Sequence, residues 1–509
     1  MTVDIQSPSL TLAIIGTGAM GRGIAQIAAQ AGVTVLLHDA QPGAADKARA
    51  AVTATLTKLA EKGKIAPAAA AAAADRLKLV ARLEELAPAQ VAIEAIVENL
   101  DAKRALFKQL EAIVGPDCVL ATNTSSLSVT AIAAACARPE RVGGFHFFNP
   151  VPLMKIVEVI EGLRTAPWVG DALLALGRRM GHTAVRTRDT PGFIVNHGGR
   201  GFVTEALRIL GENVAPFHDV DRIMREAAGF RMGPFELMDL TGMDVSQPVM
   251  ESIYNQYYQE PRYRPSPLAA AHVAGGLLGR KTGRGFYTYV DGQAQPIAEK
   301  ALPQARPARV WVSAAVPEWG QAVRALVAAL GGELDAGSRP AADSLCLVTP
   351  LGADATTTCL AQDLDATRTV AVDCLFGLAK RRTLMTTPLT SAAMTDAAHG
   401  LLASDGIPVS VIGDSAGFVA QRIIACVVNT ACDIAQQGIA QPADIDRAVA
   451  LGLAYPLGPL SFGDALGGRN ILAILEAMQD FYGDPRYRPS PWLTRRARLG
   501  VSLLTVASA

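Results

Sequence analysis

Charge is scarce in this sequence and evenly divided. Only 18% of the 509 residues are Asp, Glu, Lys or Arg, and 47 of each sign leave no net charge. That balance excludes the electrostatic footprint of a nucleic-acid or anionic-membrane partner. Cysteine is sparse and scattered: the seven, at 118, 136, 346, 359, 374, 426 and 432, form no CxxC and no metal-like cluster. This excludes a disulfide scaffold and a zinc site, and it predicts reduced, mostly buried thiols of an intracellular protein. Long apolar runs are missing too, none approaching the roughly 18 residues that a spanning helix needs. The opening MTVDIQSPSL has no basic region ahead of an apolar one, so a soluble cytoplasmic protein without targeting signal is expected. Half of the residues are hydrophobic, enough for large cores and against disorder. The length allows three or four domains.

The most informative stretch is Thr11 to Ala40, TLAIIGTGAMGRGIAQIAAQAGVTVLLHDA. Leu12 to Ile15 is a short apolar strand, followed by GxGxxG at Gly16, Gly18 and Gly21, then a small-residue helix from Ala19, Met20 and onward. Val33 to Leu37 is a second strand, and Asp39 ends it, eighteen positions after Gly21. Gly16 permits a tight turn, Gly18 lets the backbone approach a pyrophosphate, and Gly21 lets helix and strand pack closely. The helix N-terminus offers free N–H groups to phosphates, and Asp39 can accept both ribose hydroxyls. A lone GxGxxG is weak evidence. This one has its strand, helix, strand and acid in place, and it predicts a dinucleotide site.

Beyond Asp39, Ala44 to Ala60 and Ala68 to Ala74 predict a helical hairpin whose second arm starts at Pro67. Lys58, Lys62 and Lys64 on it suit a phosphate-bearing tail or, as readily, a solvated helix face. Val91 to Val97 resumes the sheet, and Glu98-Asn99-Leu100 follows at the carboxyl end, where the crevice of such a sheet lies. Strand and helix alternate to about Arg188, a doubly wound α/β pattern. In KIVEVI, Glu158 shares a strand face with Ile156 and Ile160, which demands a partner for its charge. From Asp189 long helical patterns take over, ending in GRKTGRGFY at Gly279 to Tyr287. Gly292 to Pro307 reads as a linker.

An internal repeat sets the architecture of the remainder. Asp414, Asp446, Gly458 and Asp464 each stand 225 positions after Asp189, Asp221, Gly233 and Asp239, in matching local sequence. PRYRPSP occurs at Pro261 and again at Pro485. Between the copies lie strand-like runs, Arg309 to Val312, Leu345 to Val348 and Thr369 to Val372, without GxGxxG. The expected organisation is therefore an α/β Rossmann-type domain over 1–188 and a helical substrate and dimerisation domain over 189–291. A degenerate α/β segment over 306–409 and a second, non-catalytic helical copy over 410–509 complete it.

His146, in GFHFFNP, is the candidate base, since an imidazole near its unshifted pKa exchanges protons at neutral pH. A histidine between phenylalanines is also a common packing residue. Glu158 on the next strand can orient the ring and stabilise its charged form, as in a His-acid pair. Ser125 and Asn196 can hydrogen-bond an alcohol or carbonyl oxygen, or serve as helix caps.

NTSSL at Asn123 to Leu127, GFHFFNPVPLMKIVEVI at Gly144 to Ile160, DTPGFIVN at Asp189 to Asn196 and GRKTGRGFY resemble the signature set of the L-3-hydroxyacyl-CoA dehydrogenases. The resemblance covers residues 8 to 290 nearly in register. It implies a catalytic pair of His146 and Glu158, with Ser125 and Asn196 holding the substrate oxygen. It implies NAD contacts at Gly16, Gly18, Ala19, Met20, Gly21, Asp39, Glu98, Lys103, Asn123, Asn149 and Lys281, a coenzyme A contact at Lys58, and no metal. The long form with a second helical domain is similar to bacterial enzymes of phenylacetate breakdown acting on 3-hydroxyadipyl-CoA, and to relatives acting on 3-hydroxybutyryl-CoA. The family's helical domain pairs subunits, so an intrachain pseudo-dimer is implied, with homo-oligomers left open. The second copy departs from the pattern: Gln421 replaces Asn196, no GRKTGRGFY follows, and Asp373 lies near the place of the histidine. The implied reaction is hydride transfer to NAD from C3 of an L-3-hydroxyacyl-CoA while His146 takes the hydroxyl proton. A related dehydrogenase of a free hydroxy acid or sugar acid, or a non-catalytic nucleotide-sensing protein, are the alternatives.

Overall fold

The computed structural model describes residues 3–506. They form two compact units, one of residues up to 197 with 437–453, the other of 198–436 with the described residues from 454 on.

The first unit is built on eight strands: β1 (Thr11–Ile15), β2 (Thr34–His38), β3 (Leu77–Leu79), β4 (Val91–Glu94), β5 (Val119–Thr122), β6 (Val142–Phe147), β7 (Ile156–Glu161) and β8 (Thr183–Arg188). Their order is β3-β2-β1-β4-β5-β6-β7-β8, all parallel except the β6–β7 pair. Helices cover both faces, so strands with alternating side chains are apolar throughout. On β1, Leu12 and Ile14 join the core with Ile24 and Ala28 of α1 (Ala19–Gln30) and Leu173 and Leu176 of the Pro167–Arg179 helix. Ala13 and Ile15 point the other way, to Phe107 and Leu110 of the Leu100–Ile113 helix and to Ile132. The order reverses between β1 and β4, and that switch point opens a crevice at the strands' carboxyl ends. The expected hairpin is present as α2 (Ala44–Glu61) and α3 (Pro67–Asp75).

One expected strand is shorter than its apolar run. β4 stops at Glu94 rather than Val97, because the Glu94 carboxylate accepts the Ile96 N–H at 2.7 Å and bends the chain. An element from far along the sequence also belongs to this unit. The Pro442–Leu453 helix lies on β7 and β8, and the Arg188 N–H donates to the Ile439 carbonyl at 2.9 Å.

The second unit holds the expected helical repeat and the degenerate sheet. Its six strands lie in the order Leu334–Asp335, Arg309–Val312, Ser344–Val348, Thr369–Val372, Arg382–Thr386, Val409–Ile412. Only the pairing of Thr369–Val372 with Arg382–Thr386 is antiparallel, as with β6 and β7. A relic of the glycine loop persists. A Cβ on Gly320 would stand 2.3 Å from the Ser313 carbonyl oxygen, as one on Gly21 would stand 1.8 Å from that of Gly16.

The helices Arg200–Gly211 and Val419–Gln436, equivalent in the repeat, pack on each other. A Cβ on Gly201 would lie 2.7 Å from the Cys426 carbonyl carbon, and residues 201 and 426 are equivalents at the offset of 225. Arg486 donates to the Arg264 carbonyl at 2.8 Å, and Arg262 to that of Arg488 at 2.7 Å, a reciprocal exchange between the two PRYRPSP segments. Arg422, with no exposed side chain, donates to Glu205 Oε1 at 2.7 and 2.9 Å and to Glu212 at 2.8 Å. All seven cysteines are buried and unpaired.

Candidate active site

The glycine loop has the shape its sequence requires. Gly16 has φ +95°, and a Cβ there would meet the Ala95 carbonyl oxygen at 2.5 Å. At Gly18 a Cβ would meet no protein atom within 4 Å, so this position is open on the side from which a pyrophosphate approaches. Ala19 and Met20 begin α1, and Ala19 is exposed at its N-terminus. Asp39 follows β2. Its carboxylate accepts the Thr17 N–H at 2.7 Å, the Thr17 hydroxyl at 2.8 Å and the Gln41 N–H at 3.0 Å. Burial alone would raise its pKa, but those hydrogen bonds prevail and hold it below the usual carboxylate value. Ile15, Gly16, Gly18, Asp39, Ile96 and Val97 are among the residues lining a largely apolar cleft of about 610 Å³. These features fit a dinucleotide, with an apolar cleft between the phosphate loop and the acid.

Beside the cleft sits a polar cluster that joins the expected Glu98 and Lys103 to Glu94. Lys103 is 1% exposed and donates to Glu94 at 2.6 Å, with Glu98 Oε2 at 3.3 Å. The Thr122 hydroxyl donates to the other Glu94 oxygen at 2.7 Å. Glu98 Oε1 gathers the NTSSL turn: it accepts the Thr124 hydroxyl at 2.7 Å and the N–H groups of Ser125 and Ser126 at 2.9 and 3.0 Å. Burial would raise the Glu98 pKa, but the Thr124 hydroxyl, the Lys103 ammonium and the serine donors outweigh it and lower the value. Glu98 and Lys103 thus set the position of Ser125, whose exposed hydroxyl lies 3.4 Å from Glu98. Glu94 was missed; the signal was a carboxylate at the end of an apolar strand, a charge that needs a partner as Glu158 does within its own strand.

His146 and Glu158 face each other across the antiparallel β6–β7 pair, 2.7 Å apart from Nδ1 to Oε2. Glu158 is fully buried and His146 is 4% exposed. The second Glu158 oxygen accepts the N–H groups of Ile194 and Val195, each at 2.9 Å. A carboxylate held in this way fixes the Nδ1–H tautomer and leaves Nε2 as the proton acceptor. The rings of Phe148 and Phe193 flank the imidazole, with centroids at 4.4 and 5.8 Å. Asn196, half-buried, follows directly after Val195. Asp189 ties this segment to the serine turn by accepting the Ser128 hydroxyl and the Thr130 N–H, both at 2.7 Å. The structure therefore brings His146, Glu158 and the backbone beside Asn196 together, while Asp189 holds Ser128 and Thr130, just beyond the turn that carries Ser125.

The remaining expected positions are more dispersed. The Asn123 side chain accepts the Phe147 N–H at 2.9 Å, joining the ends of β5 and β6. Asn149 is exposed beside the N-terminal part of α1, lining a smaller cavity with Ala19, Arg22 and Thr55. Lys58 is exposed near the end of α2. Lys281 lies in the second unit, paired with Asp244. Among the described residues no group of three His, Cys, Asp or Glu could hold a metal, and no helix is long and apolar enough to cross a membrane.

The second unit has the same hairpin with other residues in it. The Asp373 N–H donates to the Thr383 carbonyl at 3.0 Å, so these two stand where His146 and Glu158 stand. The Gln421 amide donates to Asp373 at 2.9 Å, and its oxygen accepts the Gly352 N–H at 2.9 Å. Burial raises Asp373 to about 6.

Comparison with known proteins meets this geometry. Residues 11–190 match the model of the 3-hydroxyacyl-CoA dehydrogenase NAD binding domain. The model of that enzyme's C-terminal domain matches twice, at 192–289 and 417–502. The chain is 39% identical to a 3-hydroxyadipyl-CoA dehydrogenase of Escherichia coli over 98% of its own length and 99% of the relative's. It belongs to the 3-hydroxyacyl-CoA dehydrogenase family. A solved 3-hydroxybutyryl-CoA dehydrogenase from Escherichia coli K12 superimposes with a TM-score of 0.84 at 37% identity, covering 96% of this chain and 98% of that one. The (S)-3-hydroxybutyryl-CoA dehydrogenase PaaH1 of Ralstonia eutropha is 40% identical over 55% of this chain and 99% of its own, with a TM-score of 0.54. This 3-hydroxyacyl-CoA dehydrogenase uses NAD, and the doubled match accounts for the repeat in its sequence.

Proposed function

We propose that His146 is the general acid and base of this dehydrogenase and Glu158 its charge partner. The carrying observation is the 2.7 Å contact from His146 Nδ1 to Glu158 Oε2 inside a fully buried carboxylate site. In oxidation, Nε2 of His146 takes the proton of the substrate 3-hydroxyl as the C3–H bond breaks. Glu158 lowers the cost of the imidazolium that forms, and the N–H groups of Ile194 and Val195 keep its carboxylate in place. Ser125 and Asn196 hold the substrate oxygen. NAD, bound by Gly16, Gly18, Ala19, Met20, Gly21 and Asp39, supplies the hydride acceptor. Glu98, Lys103, Asn123 and Asn149 shape the nicotinamide end of the site, partly by positioning the serine turn. Lys58 is assigned to coenzyme A, and Lys281, as the resemblance implies, to NAD.

The proposed substrate is 3-hydroxyadipyl-CoA, because the relative so named matches along nearly the whole chain. Its 3-hydroxybutyryl counterpart is the second reading, favoured by the name of the full-length structural match. A kcat/KM series over 3-hydroxyacyl-CoA chain lengths, with the adipyl ester and free acetoacetate included, tests both. Preference for the free acid would overturn the CoA assignment. We further propose that the two helical copies form a pseudo-dimer within one chain. The contact of equivalents at Gly201 and Cys426 and the reciprocal arginine exchange support it, since a twofold axis places equivalent residues against each other. On this reading the domains are 1–188, 189–291, 306–409 and 410–509, only the first Rossmann domain binds NAD, and the enzyme is cytoplasmic.

A further inference from the structure

The catalytic unit contains one helix from the non-catalytic copy, and its seat is beside the pair. The Pro442–Leu453 helix lies on β7, the strand of Glu158, and on β8 at the sheet edge. Its leading segment is fixed to that edge by the Arg188 N–H on the Ile439 carbonyl at 2.9 Å. Its last turn meets Val195. An ideal Cβ on Gly452 would stand 2.7 and 2.9 Å from the two Val195 methyl carbons and 3.4 Å from Val195 Cβ. Gly452 does not have a positive φ, so its backbone does not call for glycine; the closeness of Val195 does. Glycine near a helix end is a poor helix former compared with alanine, which leaves the close approach as its evident purpose.

Val195 is the residue whose N–H holds Glu158 at 2.9 Å, and Asn196 follows it. We infer that Gly452 is a positioning residue for the His146–Glu158 pair: by leaving room for Val195 it sets the peptide that holds Glu158. The equivalent pair in the repeat, 225 positions away, is Ala227 and Ala420. There a methyl stands on each side in place of none and a branched chain. That unit has Asp373 and Thr383 in place of a base and its carboxylate, with no pair to align. The non-catalytic copy thus contributes to the chemistry of the first without touching substrate.

The inference rests on the proposed roles of His146 and Glu158, and the test separates the two. His146→Gln must first abolish most acetoacetyl-CoA reduction by NADH; if it does not, the roles themselves fail. Gly452→Ala is then expected to lower kcat about ten- to a hundredfold, the scale of an ångström-sized displacement in a site, with KM for NADH within about twofold and no fall in Tm. Adding Val195→Ala, which restores the room, should return kcat to within about threefold of the parent. Should Gly452→Ala not yield soluble enzyme, Val195→Ile crowds the same contact from the other side and should show the same kcat-specific loss. Unchanged kcat in the crowded variant, or a loss that Val195→Ala does not reverse, would overturn the inference.

Discussion

Glu158→Gln is the sharpest perturbation of the site, since it keeps size and removes one charge. In the parent, one carboxylate oxygen faces His146 Nδ1 at 2.7 Å and the other takes two backbone N–H groups at 2.9 Å. A glutamine can keep the two N–H contacts with its oxygen. Its NH2 then faces Nδ1, which must turn acceptor and send the ring proton to Nε2, the atom that should receive the substrate's proton. The imidazolium also loses its neighbour: two unit charges about 4 Å apart are worth about 4 kcal/mol at an effective dielectric near 20, or about a thousandfold in rate. We expect kcat for acetoacetyl-CoA reduction to fall about 10² to 10³-fold, with NADH affinity, read by fluorescence titration, unchanged. A kcat within about threefold of the parent would refute the charge-partner argument. An equal loss of NADH affinity would show instead that the substitution had disordered the domain.

His146→Gln should lower kcat by about 10² to 10⁴, the usual worth of a positioned base, again without change in cofactor affinity. NAD should be preferred over NADP at least about tenfold in kcat/KM, a conservative share of the roughly 4 kcal/mol repulsion between Asp39 and a 2′-phosphate; equal use of both would remove Asp39 from the ribose site. Calorimetry with NADH should give one site per chain, because the second sheet kept Gly320 but has Ser313 and Ala315 near the first turn of its loop; two sites would refute this. Asp373, raised by burial to about 6, binds its proton more tightly folded than unfolded. Its contribution is complete below the unfolded value and is lost as pH rises towards about 6, a deficit of up to about 3 kcal/mol above that. Asp373→Asn should therefore raise Tm near pH 8 and leave it almost unchanged near pH 4; no gain near pH 8 would refute the assignment.

The pair of His146 and Glu158 was legible because strand patterning is local. A carboxylate on the buried face of KIVEVI needed a partner, and a hairpin register twelve residues long supplied the one histidine nearby. The glycine loop was legible for the same reason, each glycine answering to a neighbour a few residues away. The Glu94–Lys103–Glu98 cluster was legible only in part: Glu98 and Lys103 were expected at the cofactor through the resemblance, but Glu94 was not, and the contacts among the three close across strand, turn and helix. Nor could sequence place the Pro442–Leu453 helix with the first unit. Apolar periodicity tells that a helix has a face to bury, not which surface receives it.

The buried Arg422–Glu205 ion pair has a consequence for how this molecule can change. Positions 225 away from these residues hold His197 and Thr430, so the interaction is made once, on one side only. Two separate identical subunits could not do this; every substitution near their axis would appear twice and have to suit itself. A single chain carrying both halves escapes that constraint. Each half can be altered alone, and a glycine can be set against a cysteine, as at Gly201 and Cys426. On the proposed pseudo-dimer, covalent fusion turns a symmetric contact into a heterologous one, leaving one half free to specialise as support.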